Sequence, residues 1–206
     1  MKQLSQILET NWKMSNDKGN IKPLEDKLKN HYKDYDEYDE GAIHDYTRSS
    51  EKTNKYLWNK HQDGSIKNVD HENMVKDLDN AVDKHRTPHK LSVYSGMKYD
   101  PRVKLNEKNE LNHPAFLSTS LSQDEAHFFS DPVNNKNNGD SEKHILKINV
   151  PKNHPGAYVD HLSENKGEKE FILPRNTKLK YKGTVIHKKD DTDRDYDIHE
   201  HHMDII

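Results

Sequence analysis

Two glutamates one residue apart, Glu168 and Glu170, lead into the apolar run Phe171-Ile172-Leu173-Pro174. On a strand, alternate residues share a face, so both carboxylates are expected to point to the same side. The chemistry open to such a pair is stabilising positive charge and moving protons; the plain alternative is a solvated strand edge whose charges discourage aggregation. A second segment, Phe116-Leu117-Ser118-Thr119-Ser120-Leu121, reads as a strand that shows hydroxyls at alternate positions. Its plain alternative is that threonine favours strands and serine their ends. The third segment, Val93-Tyr94-Ser95-Gly96, reads as a strand running into a glycine turn where a ligand could approach the backbone, or as an ordinary turn.

Fifteen histidines raise the question of a metal. The run Asp197-Ile198-His199-Glu200-His201-His202 brings ligand types together, but no second constellation of defined spacing accompanies it, and an exposed, charged terminus is the expectation. Asp190, Asp191, Asp193 and Asp195 lack the glycine and closing glutamate of a calcium loop. No structural metal is expected. The chain has no cysteine, which excludes disulfides, thiolate metal sites and cysteine nucleophiles and suits a reducing, cytoplasmic compartment.

The elements that must position these residues follow from the apolar pattern. Helices are expected over Leu4 to Met14 and Leu24 to Tyr32, then an acidic connector from Asp34 to Glu40. Two short helices follow from Ala42, the second capped by Ser49 or Ser50, and another is marked by Met74, Leu78, Ala81 and Val82. After Pro88 the period changes to two. Strands are expected at 91–96, 116–121, 144–150, 168–173, 178–181 and 184–187, with Asp131 to Ser141 as a polar, mobile loop. Helices first and strands afterwards argue for an α+β fold.

Size and composition agree with one modest domain: 206 residues, 24.2 kDa, 30% hydrophobic and 33% charged residues and a mean hydropathy of −1.27. A net charge of −3, from 33 basic and 36 acidic residues, supplies no basic field for direct DNA binding. The N-terminus has Leu4, Ile7, Leu8 and Trp12 at helical spacing without a continuous apolar run, so neither a signal peptide nor a membrane span is expected.

The three segments in this order, behind a helical lead-in, resemble the arginine-type (R-S-E class) mono-ADP-ribosyltransferases, a family that includes bacterial toxins and the T4-like phage Alt/Mod proteins. The resemblance covers roughly residues 41 to 187. Asp45-Tyr46-Thr47 and Thr53-Asn54-Lys55-Tyr56-Leu57 are similar to the helices before the first strand, while His113-Pro114-Ala115-Phe116 and Ala126-His127-Phe128 bracket the Ser-Thr-Ser motif. The resemblance implies a helical lobe packed on two small, mostly antiparallel sheets with an NAD cleft between them. It divides the chain into a helical extension (1–40), the transferase domain (41–187) and a charged tail (188–206).

It also implies the chemistry. ADP-ribose would pass from NAD, a substrate that needs no metal, to an arginine of a bacterial host protein, the transcription or translation apparatus being the candidate target, with release of nicotinamide. Glu170 would stabilise the oxocarbenium-like transition state, Ser118 would orient that carboxylate, and Glu168 would attract and help deprotonate the acceptor guanidinium. Tyr94, Ser95, Gly96, Thr119 and Asn54 would contact NAD, and Phe128 would form an apolar wall for the nicotinamide. Ser95 and Trp58 stand where relatives carry phosphate-binding arginines. Of the five arginines, Arg102 would take over that contact if the Asp100-Pro101 turn reverses the chain. The other readings are a catalytically weakened or dead member acting as a binding or virion-associated module, and an NAD glycohydrolase using water as acceptor.

Overall fold

The computed structural model describes residues 7–9, 21–63, 69–130, 133–134, 141–189 and 195–206. Four helices come first: α1 (Lys22–His31), α2 (Glu37–Arg48), α3 (Ser50–Asp63) and α4 (Val69–Lys84). The acidic stretch expected to be a solvated connector is instead the start of α2. Asp36 caps the helix by accepting from the Tyr38 and Asp39 amides at 3.0 Å, and the Asp39 carboxylate returns to the Asp36 amide at 3.3 Å. Carboxylates satisfy orphan amides and favour the positive end of the helix dipole, so they gather there for a local reason. The helix expected over 4–14 lies mostly outside the described residues, of which Ile7–Glu9 form a strand, β1.

The strands that follow are β2 (Leu91–Met97), β3 (Glu110–His113), β4 (Leu117–Ser120), β5 (Val133–Asn134), β6 (Ser141–Val150), β7 (Ala157–Tyr158), β8 (Glu170–Leu173), β9 (Thr177–His187) and β10 (Tyr196–Ile205), with α5 (Gln123–Phe129) after β4. The fold is α+β, as the order of patterns implied. The expected loop from 131 to 141 lies outside the described residues, apart from Val133–Asn134 and Ser141, which pair as an edge of β6.

One sheet, not two, carries all ten strands in the order β1-β9-β10-β6-β2-β4-β8-β7, with β3 on β9 and β5 on β6. Its two halves meet at a narrow joint: β2 and β4 pair only at Tyr94 and Ser120. Two cores hold the sheet. Leu78, Ile43 and Tyr46 of α2 and α4 bury Phe116 and Ile172, and Leu28 and Tyr32 beside α1 pack with Val93, Leu146, Ile148, Phe171 and Met203. No helix among the described residues is long and apolar enough to cross a membrane.

The terminus expected to be a charged, exposed tail is a central strand. β10 lies between β6, to which it is parallel, and β9, to which it is antiparallel, and His201 and Met203 are fully buried. Its Glu200 is reconciled with burial by Gln123, His202 and Lys147, so a polar sequence still makes an interior strand. Residues 21–32 likewise pack into the shared core, so the helical extension is continuous with the fold.

If β10 is interior, Met203→Ala should cost about 2–5 kcal/mol of stability in urea unfolding, the range for truncating a buried methionine. A solvated tail would leave the midpoint almost unchanged.

Candidate active site

The joint between β2 and β4 opens a cleft of about 490 Å³, within the usual range for small-molecule sites of about 300–1,000 Å³. Its walls come from α2 and α3, from β2 and the segment after it, from β4, and from the turn into β8. Ser118 and Ser120 of β4, Glu168 and Glu170 all reach it.

Glu170 opens β8 opposite Ser120 and is only 6% exposed. Burial pushes its carboxyl up from 4.5 to about 7, with Glu168 and Asp160 adding like charge, while a hydrogen bond from Ser118 pulls the other way. That bond has support behind it. Asn54 Nδ2 donates to the Tyr46 hydroxyl at 3.1 Å, and the Tyr46 and Ser118 hydroxyls lie 2.9 Å apart. An amide nitrogen can only donate, so the Tyr46 proton is left for Ser118 and the Ser118 proton for Glu170. Asn54, Tyr46 and Ser118 thus form a line of donors that ends on the carboxylate.

Glu168 reaches the same cleft by a route different from simple alternation. The strand begins at Glu170, and Lys169 has a left-handed φ of 54°, so Glu168 lies in a turn. Asp160 secures that turn by accepting from the amides of Gly167 at 2.9 Å and Lys169 at 2.7 Å. Asn165 ties it to α2 by donating to the Thr47 carbonyl at 3.2 Å. Burial, with Glu125 and Asp160 nearby, also raises the Glu168 carboxyl above its ordinary range.

Tyr94, Ser95, Gly96, Thr119 and Asn54 line the cleft as expected, but three of them have structural duties. Ser95 donates to the Ser118 carbonyl at 3.0 Å, bridging β2 and β4 beside their single pair. Thr119 donates to the Phe171 carbonyl. Gly96 continues the strand rather than turning it, and it is glycine because a Cβ there would lie 2.2 Å from the Ala126 carbonyl oxygen of α5. Asn54 keeps its Oδ1 buried without a partner among the described residues, available to a ligand.

Two expectations are corrected. Phe128 is 78% exposed, and its neighbour Phe129 lines the cleft instead, because the end of α5 turns the later ring inward. Arg102 is absent from the lining; it lies in a 3₁₀ turn (Pro101–Lys104) and its guanidinium grips the Asp100 carboxylate through Nε and Nη2 at 2.8–3.0 Å. Lys98 lines the cleft and is the single lysine or arginine among the described residues that do. Trp58, also in the wall, meets the edge of the His113 ring at 5.4 Å.

The chain is similar to known proteins in sequence and in fold. The profile of the ADP-ribosyltransferase exoenzyme family matches residues 10–201. The chain is 31% identical over 149 residues to NAD(+)–arginine ADP-ribosyltransferase EFV of Enterococcus faecalis, a stretch that is 70% of this chain and 28% of that protein. It therefore spans less than a third of that relative's length. The fold is similar to that of Plx2a, an ADP-ribosyltransferase toxin from Paenibacillus larvae, with a TM-score of 0.73 and 21% identity over 92% of this chain and 96% of the other. C3stau2 from S. aureus, solved with NAD, gives 0.68 and 18% over 95% and 98%. These bacterial relatives support the toxin side of the expected resemblance and not its phage side.

A carboxyl whose folded-state value is raised makes stability fall as pH rises. Below about pH 4.5 it is protonated in folded and unfolded chains alike; between there and about 7 the unfolded chain ionises first, and the folded state loses roughly 3 kcal/mol. Glu170→Gln should therefore be more stable than the parent at pH 8 by about 1–3 kcal/mol, with the gap closing towards pH 4.5. Urea unfolding across this range checks it; a gap independent of pH would remove the buried, raised carboxyl.

Proposed function

Because this chain belongs to the ADP-ribosyltransferase exoenzyme family, matched over residues 10–201, we propose that it transfers ADP-ribose from NAD to an arginine side chain of a target protein, releasing nicotinamide. The observation that carries this reading is the buried Glu170 carboxyl, held by Ser118 at the floor of the cleft, with Glu168 at its edge. A carboxylate fixed in a low-dielectric site stabilises the positive charge that grows on the ribose as the glycosidic bond to nicotinamide breaks. The bonding pair leaves with nicotinamide. A guanidinium nitrogen of the acceptor then bonds to the ribose carbon, and the proton it loses goes to Glu168.

Phe129 and Trp58 supply apolar walls, and Asn54 Oδ1 accepts a hydrogen bond from the substrate. Lys98, on the segment leaving β2, meets the pyrophosphate in place of the arginine that Ser95 replaces. A lysine is a point charge without the planar fork of arginine, so more of the orientation falls to the backbone and polar groups around it. The family's protein-directed activity makes the acceptor a protein; an acceptor within the bacterial transcription or translation machinery is the reading that follows from the phage side of the resemblance. Hydrolysis of NAD by water is the lesser reading, because a hydrolase has no use for the second carboxylate at Glu168.

Two pairs of variants test these roles. Glu170→Gln should lower both transfer and NAD cleavage by roughly two to four decades, about 3–5 kcal/mol of barrier, whereas Glu168→Gln should suppress transfer to arginine and leave cleavage by water largely intact. Parallel assays of labelled target and released nicotinamide decide this, and equal loss of both activities in both variants would sink the assignment. In calorimetric titration with NAD, Lys98→Ala should weaken binding by about 1.5–3 kcal/mol, the worth of a hydrogen bond to a charged group. Arg102→Ala should weaken it less; the reverse order would return Arg102 to the phosphates.

A further inference from the structure

Outside the cleft, two strands, β6 and β10, and the segment after β2 bring together side chains that are far apart in sequence. Asp100, His144 and His201 each offer one ligand atom, all within 4.8 Å of one another. His144 and His201 are 1% and 0% exposed, and His144 Nδ1 lies 2.9 Å from His201 Nε2. Asp100 is more open, its side chain 25% exposed, and gives a way in from solvent. None of the three lines the cleft.

We propose that Asp100, His144 and His201 form a binding site for one divalent transition-metal ion of the zinc type. Two imidazoles and a carboxylate are the donor set such ions prefer, with a fourth position left open. Two nitrogens on a tetrahedral ion with bonds of about 2.0–2.1 Å stand roughly 3.3 Å apart, so the two rings need to separate by only a few tenths of an ångström. The outer groups fit as well. His201 Nδ1 lies 2.8 Å from the Thr184 hydroxyl, which Tyr181 in turn meets at 2.7 Å, and a proton on that nitrogen leaves the lone pair of Nε2 facing the site. His144 Nε2 lies 3.7 Å from a Glu142 carboxylate oxygen, an ion-pair distance longer than a direct hydrogen bond.

A third imidazole is close at hand. The His199 ring lies 5.1 Å from that of His144, and its Nδ1 is buried without a partner among the described residues. Asp100 accepts from the Arg102 backbone amide, Nε and Nη2, three donors for about four lone-pair positions, so one remains for the ion. The guanidinium charge makes this a weaker site than a structural zinc centre. The ion takes no part in the transfer step; it ties the segment carrying Lys98 and Tyr99 to β6 and β10.

The test is titration of the full chain with Zn²⁺ by calorimetry, with Co²⁺ absorption and thermal unfolding in parallel. One equivalent should bind and raise the melting temperature, Co²⁺ should give the strong visible band of a low-coordinate site, and a chelator should reverse both. His201→Gln and Asp100→Asn should abolish the saturable event, and Thr184→Val should weaken it by about 10–100-fold. Should His201→Gln fail to fold, Asp100→Asn and Thr184→Val decide the matter. The proposal is overturned if no stoichiometric event occurs, or if binding survives Asp100→Asn and Thr184→Val unchanged, as it would on scattered surface histidines.

Discussion

Placing the Glu170 carboxyl at 6% exposure takes it out of water, and desolvation alone would leave it neutral through most of the accessible pH range. The opposing force is one hydrogen bond from Ser118, which is polarised by Tyr46 and, behind it, Asn54. That line of donors favours the ionised form against burial. With it, the group titrates near 7 and is available as an anion in a site of low dielectric, where a charge acts over a given distance more strongly than in water. The donors come from α2, α3 and β4, so the helical layer is in place to charge a residue on the sheet as well as to cover a core.

The same requirement accounts for the interruption between β2 and β4. A full ladder between these strands would fill the space in which Ser118, Ser120 and Glu170 meet a ligand. Instead the strands pair at Tyr94 and Ser120 alone, and the Ser95 hydroxyl takes the Ser118 carbonyl that continued pairing would have satisfied. Buried carbonyls need partners, so a side chain has replaced a backbone amide. A serine at this position keeps the joint closed on one side while the cleft stays open on the other, with Lys98, three residues on, in its lining.

What could be read from sequence was what alternates or repeats by type. Ser118, Ser120 and Glu170 sit in segments that read as short strands, and it was the family resemblance carried by the order of those segments that implied one cleft. The residues that escaped notice have identities that serve two purposes. Tyr46 reads as one more apolar position on an amphipathic helix, and nothing in its spacing marks the hydroxyl. Phe128 and Phe129 are adjacent, and the choice between them depends on how far α5 continues before Ser130. Asp36 and Asp39 read as solvated charge because a capping box and a charge run share a composition. β10 was hidden by its own content: His199, Glu200, His201 and His202 look like surface, and only their partners in three neighbouring elements make them interior. Arg102 was drawn to the phosphates by its charge, but Asp100 two residues earlier offers a nearer anion in a fixed geometry.

The two glutamates differ in how firmly they are held, and this difference follows from the backbone between them. Lys169 adopts φ of 54°, a conformation that costs a non-glycine residue roughly 1–2 kcal/mol, and the Asp160 carboxylate offsets the strain by accepting from the amides of Gly167 and Lys169. The kink takes Glu168 off the strand and leaves Glu170 on it. Glu170 is thereby fixed on both sides, by its pairing with Ser120 of β4 and by the Val159 amide, which donates to its carbonyl at 3.0 Å; under the proposed function it meets the ribose of one unvarying substrate. Glu168 rides on a turn secured by Asp160 and Asn165 and by the Ser120 hydroxyl, which donates to the Glu168 carbonyl at 2.7 Å; under the proposed function it meets a guanidinium presented by another protein. A regular strand through both residues would give them equal rigidity. The strained lysine separates a carboxylate fixed in the sheet from one carried by a turn.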